Sequence, residues 1–218
     1  VNTLGVLNIV ERGDSVQSIK DLAGKKLYAT GQGATPEYTL RHILKENGID
    51  PDCGLTIQWC ADTTEALSYI ANDSEAIAML PQPFATAAMG QVDGLRVAID
   101  LNDAWTEIED CDIVTGVVVA RTDFVKEHPQ AVETFLSEYE ASVAYTNDNA
   151  ADAAELIAGY GIVAKAPLAE KAIPKCHITF LKGQEMKDSV SGYLQILFDE
   201  NPQAVGGTLP ADDFYYGL

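Results

Sequence analysis

Residues 18–40 read Ser-Ile-Lys-Asp-Leu-Ala-Gly-Lys-Lys-Leu-Tyr-Ala-Thr-Gly-Gln-Gly-Ala-Thr-Pro-Glu-Tyr-Thr-Leu. A short polar helix over 18–23 should end at Gly24 and give way to a strand over 26–30. Gly31-Gln32-Gly33 then forms a loop, with Thr35 expected as N-cap, Pro36 as the first helical residue and a helix to Asn47, stopped by Gly48. This order leaves free backbone N–H groups, and the positive end of a helix dipole, at the carboxyl end of a strand. In open α/β sheets ligands dock at that place. The plainer alternative is an ordinary strand-to-helix turn with a good cap.

Working outward, strands and helices alternate. The apolar run 4–10 reads as a strand. Leu55, Ile57 and Trp59 alternate on one face of the next, and Asp62 or Thr63 caps a helix over 64–71, with Glu65 placed for a capping box. A buried strand over 76–80 runs into Pro81-Gln82-Pro83 and a small-residue helix over 84–89. Strands over 95–99 and 114–120 complete the series. Repetition of this kind predicts an α/β fold with a mostly parallel sheet covered by helices. The second half is helical, over 122–128, 129–147, 149–159, 167–173 and 184–201, with one strand expected over 176–180. Those helices have few strands of their own to cover.

Bulk properties exclude some partners. The 218 residues are 47% hydrophobic and 22% charged, enough for a core in one domain or two small lobes. Net charge is −19, with only 14 Lys and Arg against 33 Asp and Glu, so neither nucleic acid nor an anionic membrane suits the chain. No apolar run reaches membrane-spanning length. Cys53, Cys60, Cys111 and Cys176 form no CxxC, and none has a His at zinc-finger spacing, so no metal is expected and all four read as free thiols. His42, His128 and His177 are scattered and read as structural. No Ser lies in a Gly-x-Ser-x-Gly context, and Gly31-Gln32-Gly33 lacks the third glycine of a dinucleotide fingerprint. The chain is therefore expected to be no enzyme and to use no cofactor.

The stretch from Leu4 to Phe84 resembles the solute-binding components of ABC importers in the nitrate, sulfonate, taurine and thiamine-precursor group. The resemblance rests on Asp21-Leu22-Ala23-Gly24-Lys25, the Gly31–Glu37 loop, Gly48-Ile49-Asp50-Pro51, and Pro81-Gln82-Pro83. It continues through Thr115–Ala120 and Phe124-Val125-Lys126-Glu127-His128-Pro129 as far as Tyr215. It implies a type II periplasmic-binding-protein fold, two α/β lobes that close on solute like a clamshell. On that basis 1–12 and 113–120 would be crossover strands and 13–112 one complete lobe. Residues 121–218 would be the carboxyl-terminal, mostly helical part of the other lobe. The family's first strands would then lie outside these residues. An isolated 218-residue chain should bind solute weakly and associate with a second copy through an exposed sheet edge.

The resemblance implies capture of a small polar or anionic solute, without catalysis, for a permease partner. The place would be outside the cytoplasm, in a periplasmic or lipoprotein form. A sensor or interaction module on the same fold stays open as the alternative. Expected ligand contacts are Gly31, Gln32, Gly33, Ala34 and Thr35 on the loop, Gln82 after its strand, and Asn2, Thr3 and Thr115 beside the crossovers. Gln82 stands where related proteins often carry an acidic residue, so the lining is neutral and better suited to an anion; a simple turn is the alternative. Tyr38 and Trp59 read as core, and Arg12, Arg41, Arg96 and Arg121 as surface residues.

Overall fold

The computed structural model describes residues 1–218. Five strands form one sheet: β1 (Leu7–Arg12), β2 (Lys26–Ala29), β3 (Thr56–Trp59), β4 (Ile77–Pro81) and β5 (Leu95–Asp100). Their order is β3-β2-β4-β1-β5. β2 pairs in parallel with β3 and β4, while β1 lies antiparallel between β4 and β5. Four strands thus point one way and β1 alone returns.

Helices cover both faces, which explains the unbroken apolar runs of the inner strands. In β4, Ile77 and Met79 face one side, and Ala78 and Leu80 the other. On the first side lie α1 (Thr35–Glu46) and α4 (Leu101–Thr106), with Leu40, Ile43, Leu44, Leu101 and the fully buried Trp105. The second side is closed by α2 (Thr63–Asn72) and α3 (Phe84–Met89) through Ala66, Ile70, Ala85 and Ala88. Asp62 accepts the Glu65 N–H at 2.9 Å and Glu65 reaches back to the Ala61 N–H at 2.7 Å, so α2 starts with reciprocal capping.

The remaining helices are α5 (Thr122–Glu127), α6 (Pro129–Asp148), α7 (Ala150–Gly159), α8 (Ala166–Ala172) and α9 (Gly183–Glu200). α7 and α8, with Ile173 just after α8, share a small cluster of Ala153, Ala154, Ala169 and Ile173. α9 packs elsewhere: Tyr193 and Leu197 belong to the core of the sheet, and Thr39 and Tyr193 share a hydroxyl hydrogen bond of 2.7 Å. α9 thus lies against the same face of the sheet as α1 and α4. No helix is long and apolar enough to cross a membrane.

Two expected strands are absent. Over 114–120 only Gly116 is bridged, to Thr3, and over 176–180 only Ile178, also to Thr3. A strand needs a neighbour for its N–H and C=O groups, and β-rich composition does not supply one. Val117, Val118 and Val119 are 49%, 49% and 75% exposed. α6 likewise buries only Val143, and leaves Phe135 and Tyr145 exposed.

Candidate functional site

The turn from β2 into α1 is built by two glycines in left-handed conformation, Gly31 at φ +86° and Gly33 at φ +75°. At Gly31 the demand is double, since a Cβ would also lie 2.8 Å from Pro36 Cγ. Gly31→Ala is expected to destabilise the chain by about 1–3 kcal/mol through forced backbone strain. An unchanged urea midpoint in that variant would count against this account of the turn.

α1 begins one residue earlier than the sequence pattern suggests. Ala34, extended at φ −133° and ψ 178°, is the N-cap, and Thr35 is already helical with Pro36 behind it. The Thr35 hydroxyl therefore caps nothing. Instead Glu37, in the first turn of α1, accepts the Gly33 N–H at 2.7 Å. The Ala34 N–H donates to Gly31 O at 3.2 Å. Of the loop amides expected to face a solute, Gly33 and Ala34 are thus engaged within the turn, and a carboxylate stands over the helix end. The Gly31 and Gln32 N–H groups make no hydrogen bond within the chain, and residues 32–35 are exposed.

A second set of polar groups sits at the carboxyl end of β4. The Gln82 N–H donates to Val6 O at 2.8 Å, tying it to the segment that enters β1. Its Oε1 accepts from the Thr86 hydroxyl at 2.7 Å and the Thr86 N–H at 3.3 Å. Asn8 Nδ2 donates to the same Val6 carbonyl at 3.0 Å. Asn8, Gln82 and Thr86 are three of the six buried polar or charged residues in the chain, so half of them gather at this one end of the sheet. Every other fully buried side-chain polar atom has a hydrogen-bond partner; Gln82 Nε2 has none.

Asn2, Thr3 and Thr115 come together at the crossover. Residues 1–4 lie between 115–116 and 177–181, held by Thr115 N–H to Thr3 O (3.0 Å), Asn2 N–H to Gly116 O (3.0 Å) and Thr179 N–H to Asn2 O (3.0 Å). The Thr3 hydroxyl donates to Asn2 Oδ1 at 3.1 Å. A Cβ at Gly116 would sit 3.2 Å from Thr3 Cβ and collide with Asn2 Oδ1, so only glycine permits this approach. The His177 ring meets the Gly5 carbonyl, and His177 itself adopts φ +44°. Nearby, Asp100 caps α4 by accepting the Asn102 N–H at 2.9 Å, and burial pushes its carboxyl pKa up.

Sequence reasoning missed one charged group. Glu11 is 1% exposed; it accepts from Val16 N–H (3.0 Å), Ser15 Oγ (2.7 Å) and Arg96 Nη2 (2.6 Å), so Arg96 is no free surface cation. Arg41 lies 2.9 Å from Asp52. Tyr38 and Trp59 pack against the main core, and the Tyr38 hydroxyl accepts from Asn201 at 2.8 Å. No three His, Cys, Asp or Glu side chains gather as a metal site would require. A cavity of about 290 Å³ beside the crossover is lined by Asn147, Ile173, Pro174, His177 and Ile178, and by none of the turn residues.

The family model described as NMT1/THI5 like matches residues 2–153. The chain belongs to the NMT1/THI5-like family. Solved structures share the fold of this family member. An ABC transporter protein from Parabacteroides distasonis is 27% identical, with a TM-score of 0.76 over 99% of this chain and 72% of that one. The periplasmic aliphatic sulphonate binding protein SsuA from Escherichia coli is 16% identical, with a TM-score of 0.77 over 99% of this chain and 70% of that one. The desulfurization enzyme DSZB shares the fold at 12% identity and a TM-score of 0.59, over 91% of this chain and 70% of that one. No curated protein matches the family member in sequence. Its fold is that of the type II periplasmic binding proteins.

Proposed function

We propose that the chain captures a small polar or anionic solute for an ABC importer, outside the cytoplasm, by clamshell closure and without chemistry on the solute. The observation that carries this reading is that the Gly31–Gln32 turn after β2, Gln82 after β4 and the segment entering β1 all lie at one end of the sheet, in a fold shared with a transporter protein at 27% identity. In this reading 13–112 form one lobe and 1–12 with 113–120 the hinge. Residues 121–218 contribute to the other lobe, with α9 seated on the first lobe's sheet as a brace. Gly31, Gln32 and Gln82 present donors to the solute, and Thr35, Asn2, Thr3 and Thr115 line its approach. Gly33 and Ala34 shape the turn, because their N–H groups are already engaged.

Solute that binds only the folded chain raises its stability by about 2.7 kcal/mol at a hundredfold excess over Kd. For a chain of this length that corresponds to a melting-temperature rise on the order of 5–10 °C. A thermal-shift panel of sulfonates, nitrogen oxyanions, pyrimidines and amino acids, carried to tens of millimolar, is expected to contain at least one such solute. A flat panel would overturn the proposal.

A further inference from the structure

We propose that the open cavity beside the crossover is a second binding site. It takes a small neutral molecule with an O–H or N–H donor on an apolar body, and His177 Nε2 and Asn147 Oδ1 are its acceptors. The cavity, about 290 Å³, is lined by Asn147, Ile173, Pro174, His177 and Ile178. The polarity of its two polar side chains is fixed by what they touch. A carbonyl oxygen only accepts, so His177 Nδ1, which meets the Gly5 carbonyl, must carry the ring proton. The neutral ring then bears its lone pair on Nε2, which makes no hydrogen bond within the chain. Asn147 Nδ2 donates to the Ile178 carbonyl at 2.8 Å, and that leaves Oδ1 as the free atom of the amide. Neither acceptor is sealed away, because the one fully buried side-chain polar atom without a partner is in Gln82.

The backbone supports a ligand here. His177 is the one non-glycine residue of the chain at positive φ, +44°. Such conformations are costly and cluster where ligands are held. The Leu4 N–H donates to His177 O at 3.1 Å while the ring meets Gly5, so the imidazole is fixed from both sides against the segment entering β1. An acceptor already held in place loses little freedom on binding. The rest of the lining, Ile173, Pro174 and Ile178, is apolar, and no Lys or Arg lines the cavity. An anion therefore finds no counter-charge there. A bare hydrocarbon would cover the two acceptors and leave them unmatched. A hydroxyl or an N–H on a small apolar body meets both demands. A cavity of about 150 Å³ suffices for benzene, so one ring with its head group fits. The occupant would touch α6 through Asn147 and the crossover through Ile178, which is bridged to Thr3. None of these residues belongs to the set assigned to the solute above, and the inference does not rest on that reading.

The test reads the ring nitrogens directly. Phenol, anisole and sodium benzoate share one ring and differ in the head group: a donor, an acceptor only and an anion. Each is titrated into the ¹⁵N-labelled chain and followed in the long-range ¹H–¹⁵N spectrum of the histidine rings and in the backbone amides. The His177 signals are assigned by their loss in His177→Asn, since asparagine tolerates the left-handed conformation. Before any addition His177 should show a protonated Nδ1 and a bare Nε2. Phenol is expected to shift Nε2 saturably, together with the amides of His177 and Ile178. It should bind about three- to tenfold more tightly than anisole and lose a similar factor in His177→Asn. Benzoate should leave these signals in place. A proton on Nε2 in the free chain, equal binding of phenol and anisole, a saturable response to benzoate, or no response to phenol would each overturn the inference. These readings come from the parent chain, so they decide the matter even if His177→Asn does not fold.

Discussion

Glu11→Ala is expected to destabilise the chain by about 3 kcal/mol, a loss visible as a lower urea midpoint with little change in slope. Glu11 sits in β1, the reversed strand between β4 and β5, with its side chain 2% exposed. Its carboxylate gathers Ser15, Val16 and Arg96 around it. Truncation leaves the Val16 N–H buried without an acceptor and frees the Arg96 guanidinium. Arg96 is 33% exposed and also bonds the Gly13 and Val16 carbonyls, so solvent and those carbonyls offset part of its loss. That places the cost at the lower end for a broken buried pair.

The same group gives stability a pH dependence with a definite sign. Burial raises the Glu11 pKa, but the Ser15 and Val16 hydrogen bonds and the Arg96 charge together outweigh it and leave the pKa below its ordinary value. The folded chain therefore holds the proton less tightly than the unfolded one. Its contribution is complete above the unfolded pKa, near 4.3, and is lost as pH falls toward the lower folded value. In Arg96→Ala burial stands with less opposition, and the Glu11 contribution should shrink or reverse across the same window. Urea midpoints at pH 7, 5 and 4 for the parent and both variants check this. A parent and an Arg96→Ala variant that lose stability in parallel below pH 5 would refute it.

The pair also marks how far the sequence could be followed. The run Leu7–Val10 announces a buried strand, and the next residue, Glu11, carries its charge into the same environment. Linear order places Arg96 far away, and only the β1–β5 register, Glu11↔Arg96, makes them partners. Strand identity was legible because apolar alternation is local, whereas the reversal of β1 depends on a crossover that local pattern does not encode. Residues 114–120 failed for the complementary reason, since Val117–Val119 has strand composition without a strand beside it. At the site, the Gly31 turn was legible from its glycines and Pro36. The back-reach of Glu37 follows from a glutamate in the first helical turn, a signal present in the sequence and masked by Thr35 as the more obvious cap. The unmatched Gln82 amide could not be found that way, because it depends on which of its two atoms faces Thr86.

Trp105→Ala should be the most damaging single truncation, about 3–5 kcal/mol, with a fall in melting temperature on the order of 10 °C. Trp105 is fully buried, donates Nε1–H to Cys111 O at 2.6 Å, and stands edge-on to Tyr193 at a centroid distance of 5.5 Å. His42 covers it at 5.1 Å. One side chain thus joins α1, α4 and α9 over the sheet. The loop after α4 is pressed close as well: a Cβ at Gly192 would lie 2.7 Å from Cys111 Cβ, and burial pushes the Cys111 thiol pKa up to about 11. Losing the indole removes the shared surface of α4 and α9 and leaves the Cys111 carbonyl unpaired. Amide exchange should accordingly accelerate in α9 more than in α2, which packs on the opposite face. Equal acceleration in both helices would show that α9 is no brace on this lobe, and a melting temperature within about 2 °C of the parent would remove Trp105 from the centre of the core.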